Sequence, residues 1–136
     1  MSSKKNHLNI INHNFSALNY LSKQLERYTD WCITIIFYMA LHYIHAYLSQ
    51  QNEHPTSHSN LDQLIAKNPK IKKIRNKYRH LYDDSRQARY YGNKLSIYEM
   101  RNSSLKYFNE IQQIICELLK HKPQHSNLYD LFPLNS

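Results

Sequence analysis

The stretch Arg75–Tyr82, RNKYRHLY, carries two guanidiniums, an imidazole and two phenols within eight residues. A guanidinium stays charged and grips a phosphate through two parallel hydrogen bonds. It also stabilises the extra negative charge of a pentacovalent phosphate. Imidazole titrates near neutrality and moves a proton from a ribose hydroxyl or to a leaving oxygen. Such chemistry requires no metal, and Asn76 is placed to orient either group. On a helix, Arg75, Arg79, Tyr82 and Arg86 fall on one face, with Arg89 next in line. That face suggests a phosphate-binding surface in its own right, the alternative being a plain solvated helix face. An uninterrupted helix sets Arg75 and His80 about 140° apart. The two converge only at a helix start, at a kink or across a dimer. A plainer role for Arg86 and Arg89 is pairing with Asp83, Asp84 or Glu99, which contributes little at an exposed surface.

Other reactive residue types suggest less. His42, His45, His54 and His58 form a conceivable metal group, with His42 and His45 on neighbouring helical positions. No acidic or thiolate partner accompanies them, so packing or surface histidines are expected, and no metal site. Cys32 and Cys116 show no CxxC or zinc spacing and lie in apolar stretches. They read as reduced core thiols. Tyr38, Tyr43 and Tyr47 read as packing residues.

The elements that must position these groups are helices. Leu8, Ile11, Phe15, Leu18 and Leu21 recur in steps of three and four, which predicts a helix over about Lys5–Gln24. Thr29 or Asp30 can cap a second helix running to about Gln50. It is apolar nearly all round from Trp31 to Tyr47, so it belongs in the centre of a bundle. Trp31–Leu48 is uncharged and almost long enough to span a bilayer, but the other helices need it to cover their apolar faces. No membrane span is expected. NEHPTSHS, Asn52–Ser59, is a loop. Ser57 or Ser59 caps a short helix carrying Leu61, Leu64 and Ile65, which Asn68-Pro69 ends. Ile71, Ile74, Tyr78, Leu81, Ser85 and Ala88 set the apolar face of a helix over about Lys70–Tyr91, with Gly92 at its C-terminal cap. Ser96-Ile97-Tyr98-Glu99 is a capping box that opens one last long helix, closed by His121, Lys122 and Pro123. The predicted organisation is a helical domain over residues 1–122 and a loop-like tail over 123–136, whose LYDLF segment can pack onto the bundle.

Composition agrees. A chain of 136 residues with one glycine and four prolines is one domain with too few breakers for a turn-rich β fold. With 41% apolar residues it is not disordered. A net charge of +8 favours polyanions, nucleic acid first. Lys4 and Lys5 are followed by Asn6, His7 and Asn9 rather than an apolar run, so no signal peptide is expected. A cytoplasmic location is the expectation. The fold class is all-α, an antiparallel four- to five-helix bundle.

Three segments follow one another over about residues 28–119: the helix WCITIIFYMALHYIHAYL, the loop HPTSH, and YRHLYDDSRQARYY. In order and spacing they resemble the branch of the HEPN superfamily that has an FYxALH helix and an SRxARY segment. The resemblance implies a helical bundle that dimerises. It also implies a metal-independent endoribonuclease, often a toxin or antiphage effector, marked by Arg, four to six residues, then His. Arg75 to Tyr82 fits Arg-x4-His-x-Tyr, the form in HEPN toxins paired with a minimal nucleotidyltransferase that silences them by AMP transfer to the tyrosine. On this reading Arg75 clamps the phosphate, His80 moves the proton, and Asn76 and Tyr82 support them. Arg79, Arg86 and Arg89 hold the nucleic acid. RNA, a second copy and an antitoxin or nucleotidyltransferase are the expected partners, and no cofactor is expected. The alternative is a catalytically inactive HEPN module whose arginine face holds RNA, a nucleotide or a protein. A third reading is a purely structural domain that dimerises through the central helix.

Overall fold

The computed structural model describes residues 3–92 and 95–134. Most of these residues are helical, with no strand among them. The α-helices are α1 (Lys4–Ser22), α2 (Leu25–Gln50), α3 (His58–Lys67), α4 (Arg75–Tyr91), α5 (Ile97–Asn102) and α6 (Ser104–Leu119). Single 3-10 turns at Lys72–Ile74 and Leu128–Leu131 complete the chain. Helices α5 and α6 are two limbs of one broken helix, so the architecture is an all-α bundle.

Local signals explain most boundaries. Ser3 and Ser57 accept from the N–H groups of Asn6 and Asn60, capping α1 and α3. The Ser96–Glu99 capping box closes reciprocally at the start of α5. Gly92 takes φ +66° after α4, a conformation in which an L side chain is strained.

Three expected boundaries differ. Helix α4 begins at Arg75 rather than at about Lys70, after the 3-10 turn at Lys72–Ile74. Helix α2 begins at Leu25 rather than after a Thr29 or Asp30 cap, and the expected start survives as a kink at Tyr28 (φ −122°, ψ 26°). The Thr29 hydroxyl turns back to the Leu25 carbonyl, and the Asp30 carboxylate accepts from the adjacent Trp31 N–H. The last helix is not continuous either. Ser103 leaves helical geometry (φ −124°, ψ −84°) because Asp84 of α4 draws the Ser103 and Ser104 hydroxyls to one carboxylate oxygen, at 2.7 and 2.9 Å.

Helix α2 is the axis of the bundle and contacts α1, α4 and α6. Its residues Cys32, Ile36, Phe37, Met39, Ala40, Ile44 and Leu48 are wholly buried. It is long and apolar enough to cross a membrane, yet 72% of its most apolar stretch is covered by the rest of the protein. Burying each large apolar side chain contributes about 1.5–3 kcal/mol. Helices α1 and α2, α2 and α4, and α4 and α6 run antiparallel. His7 meets His42 across the α1–α2 hairpin. Tyr38 meets Arg89 while Phe37 meets Tyr78 and, further along, Tyr47 meets Asn68. Lys77, His80 and Asp84 of α4 meet Glu110, Tyr107 and Ser104 in reverse order.

The segment after α6 joins this core. Leu128 and Phe132 are buried, and Arg101 donates to the Tyr129 and Phe132 carbonyls at 3.2 and 2.7 Å. His125 sits 2.7 Å from the Tyr43 hydroxyl, and Gln112 donates to that hydroxyl as well.

Candidate nucleic-acid interface

Helix α4 presents three faces. Tyr78, Leu81, Ser85 and Ala88 are buried in the core, the pattern the 3.6-residue period requires. One flank faces α6: Lys77 pairs with Glu110 at 3.6 Å, and the His80 ring stacks on Tyr107 with centroids 4.7 Å apart and planes 9° apart. The other flank faces α3 and the middle of α2, where Phe37 and Tyr38 lie, and there the arginines lie.

Arg75 is fixed on this second flank. Its Nε and Nη2 donate to the two oxygens of Asp62 on α3, at 3.0 and 2.9 Å. That bridge holds the Asp62 carboxyl below its ordinary range and raises the guanidinium. Arg75 and His80 therefore face different neighbours on opposite flanks of α4 among the described residues. Asn76 is exposed and has no side-chain hydrogen bond among the described residues. Of the expected catalytic set, Arg75 and Tyr82 lie on the flank of the other arginines, and His80 does not.

Arg86 and Arg89 form the dense part of the surface. The Arg86 Nη1 donates to the Tyr82 hydroxyl at 3.3 Å, and its guanidinium lies 5.7 Å from the Tyr82 ring and 5.6 Å from that of Tyr90. Arg89 donates from Nη1 to the Tyr38 hydroxyl at 2.9 Å and from Nε to the Ser85 carbonyl at 3.2 Å. Its guanidinium lies 5.2 Å from the Tyr90 ring and 5.7 Å from Tyr38. These separations are within cation–π reach. Tyr38 is thus not only a packing residue: its edge is exposed beside Arg89.

Pairing of Arg86 and Arg89 with nearby carboxylates is not what the structure has. Asp84 is taken by Ser103 and Ser104, and Glu99 by the Ser96 cap. Among the described residues the ion pairs are Arg75–Asp62 and Lys77–Glu110. Among the described residues Arg79, Arg86 and Arg89 form no ion pair, although the charge of Arg79 is felt by the Asp62 carboxyl.

His58 belongs to this site, and the spacing of residues gave no sign of it. It is the first residue of α3, just after the Ser57 cap. Its Nδ1 lies 2.7 Å from the Tyr78 hydroxyl, and its ring meets the Tyr82 ring edge-on with centroids 4.6 Å apart. Partial burial, then the charges of Arg89 and Arg86, lower its pKa below the ordinary histidine value. The imidazole is neutral near pH 7.

The remaining histidines sort differently. His42 and His45 pack against His7 of α1, with centroids 5.2 Å from His7 in each case and the His7 and His42 Nδ1 atoms 3.0 Å apart. Burial, followed by the neighbouring histidines, pushes both His42 and His45 down to about 4. Among the described residues no group of three His, Cys, Asp or Glu side chains is arranged to hold a metal ion. Cys32 and Cys116 are buried free thiols, raised to about 12 and about 11 by burial.

Comparison with family models, with curated proteins and with solved structures returns no match.

Proposed function

We propose that the chain is a HEPN-type helical domain that binds RNA through the arginine–tyrosine face of α4. One observation carries this reading: Arg79, Arg86 and Arg89 form no ion pair among the described residues, and Arg86 and Arg89 are braced against tyrosine rings. Unpaired guanidiniums bind phosphates, and aromatic rings beside them stack bases. The +8 charge brings polyanions toward that face.

The test is fluorescence anisotropy with a labelled single-stranded RNA across a salt series. Each phosphate contact contributes about −0.7 to the slope of log K against log salt. The Arg86→Ala/Arg89→Ala double variant is expected to flatten the slope by roughly 1.4. No binding at low salt, or an unchanged slope in the variant, would refute the reading.

A second reading, metal-independent cleavage of RNA, is favoured by His58 rather than by His80. In the tautomer whose Nδ1–H donates to Tyr78, the His58 Nε2 carries a free lone pair beside the arginines. It takes the proton of a ribose 2′-OH as that oxygen attacks phosphorus. The P–O5′ bond breaks, and the leaving oxygen takes a proton from solvent. Cleavage that survives EDTA, is lost in His58→Ala and persists in His80→Ala supports this reading. The reverse pattern returns the chemistry to Arg75 and His80, brought together by a second copy.

A further inference from the structure

Between α3 and α4 a cleft of about 270 Å³ opens at the end of the arginine face. It lies just below the roughly 300–1,000 Å³ of sites for drug-sized ligands, a size for one base rather than a cofactor. His58 and Tyr82 supply its aromatic wall, and Arg79, Asp83 and Asp62 its charged rim. Asp62 is committed to Arg75. Arg79 and Asp83 are not committed.

Arg79 and Asp83 stand one turn apart on α4, where opposite charges ordinarily meet. They form no ion pair or side-chain hydrogen bond among the described residues, although both line the same cleft. The cleft therefore offers one free two-pronged donor and one free two-pronged acceptor over an aromatic wall.

We infer that this cleft is a guanine-binding subsite of the RNA interface, with Asp83 and Arg79 reading opposite edges of one base. A carboxylate accepts two hydrogen bonds at once, and guanine is the base that offers two adjacent donors, N1–H and the N2 amino group. Adenine, cytosine and uracil each offer it a single donor group. Guanine also presents O6 and N7, the pair that a guanidinium engages bidentately. The ring stacks along the Tyr82–His58 wall. Phosphates on either side of the base fall to Arg86 and Arg89. The inference rests on the RNA-binding reading above and adds the base that the cleft selects.

The experiment uses fluorescein-labelled eight-nucleotide RNAs, all uridine except for one central G, A or C, and the full chain in an anisotropy assay with EDTA. The G-containing RNA is expected to bind about tenfold more tightly than the other two. Asp83→Asn keeps the cleft and removes a negative charge. It is expected to bring the three affinities within about twofold of one another without weakening binding to the A- and C-containing RNAs. Arg79→Ala is expected to lower both the preference and the overall affinity. Both residues are exposed, and unchanged far-UV circular dichroism would verify folding of the variants. Equal, salt-sensitive binding of all three RNAs by the unaltered protein would overturn the guanine subsite and leave the arginine face standing. A G preference that survives Asp83→Asn would overturn it too. Absence of binding to any of them would overturn both.

Discussion

Arg75 and His80 are five positions apart on α4 and are held on different flanks of it, Arg75 by a bidentate bridge to Asp62 of α3 and His80 by stacking on Tyr107 of α6. The helix runs unbroken between them, so its own geometry keeps them apart. A guanidinium already gripped by a carboxylate must give up that partner to grip a phosphate.

Single substitutions at these positions should therefore affect RNA binding little. Arg75→Ala and His80→Ala are expected to keep RNA affinity within about threefold of the unaltered protein, less than half of one bidentate contact. The Arg86→Ala/Arg89→Ala variant should lose much more. The measurement is the same anisotropy titration at one salt concentration. A tenfold loss in Arg75→Ala would show that the Asp62 bridge opens when RNA arrives.

The break between α5 and α6 depends on one carboxylate. Asp84 accepts from both Ser103 and Ser104, and Ser104 is wholly buried. Removing the acceptor leaves a buried hydroxyl without its partner, at about 1–3 kcal/mol. Asp84→Ala is expected to lose that much in urea unfolding. Asp84→Asn retains an acceptor oxygen and should lose less. Equal losses in the two variants would mean that the hydroxyls find other partners.

Acid should loosen the α1–α2 hairpin. His42 and His45 are held to about 4 in the folded chain, against an ordinary value of 6.5, and His7 is lowered as well. The unfolded chain then binds more protons, so stability rises with pH. The full contribution is present above pH 6.5 and is lost as pH falls from there toward about 4. The loss is on the order of 1 kcal/mol per pH unit for each such histidine. Asp62, whose carboxyl is also lowered, acts below its ordinary 3.8 and so outside this window. Urea melts at pH 7, 6 and 5 check the slope. A His42→Gln/His45→Gln double variant should flatten it, and an unchanged slope in that variant would place the titration elsewhere.

What the sequence discloses here is what depends on neighbours along the chain. The Ser96–Glu99 box, the Ser57 cap and the Gly92 terminus are short-range devices, and each is where its residue types put it. The Arg75, Arg79, Tyr82, Arg86 and Arg89 stripe is a matter of helical spacing, and those residues share the α3 side of α4. The break at Ser103 was not legible, because its cause is Asp84 on another helix. The continuation of α2 back to Leu25 overrides the capping types of Thr29 and Asp30. His58 enters the site only because α3 folds against α4, and nothing about the loop HPTSH specifies that contact. His7 likewise meets His42 only once α1 has folded back.

The C-terminal segment offers a last check on where the cooperative unit ends. Phe132 has no exposed surface, and the carbonyls of Tyr129 and Phe132 both accept from Arg101 on α5, whose guanidinium lies 4.8 Å from the Tyr129 ring. A loose tail would gain nothing from these contacts, whereas an integral one loses a core aromatic when Phe132 is truncated. Phe132→Ala is expected to cost about 3–5 kcal/mol, as for other buried phenylalanines. Because the arginine face of α4 lies on the α3 side and Arg101 lies on α5, the remaining folded protein should bind RNA as before. Urea unfolding measures the first expectation and anisotropy at low denaturant the second. A loss below about 1 kcal/mol would mean that the segment packs without contributing to the cooperative core.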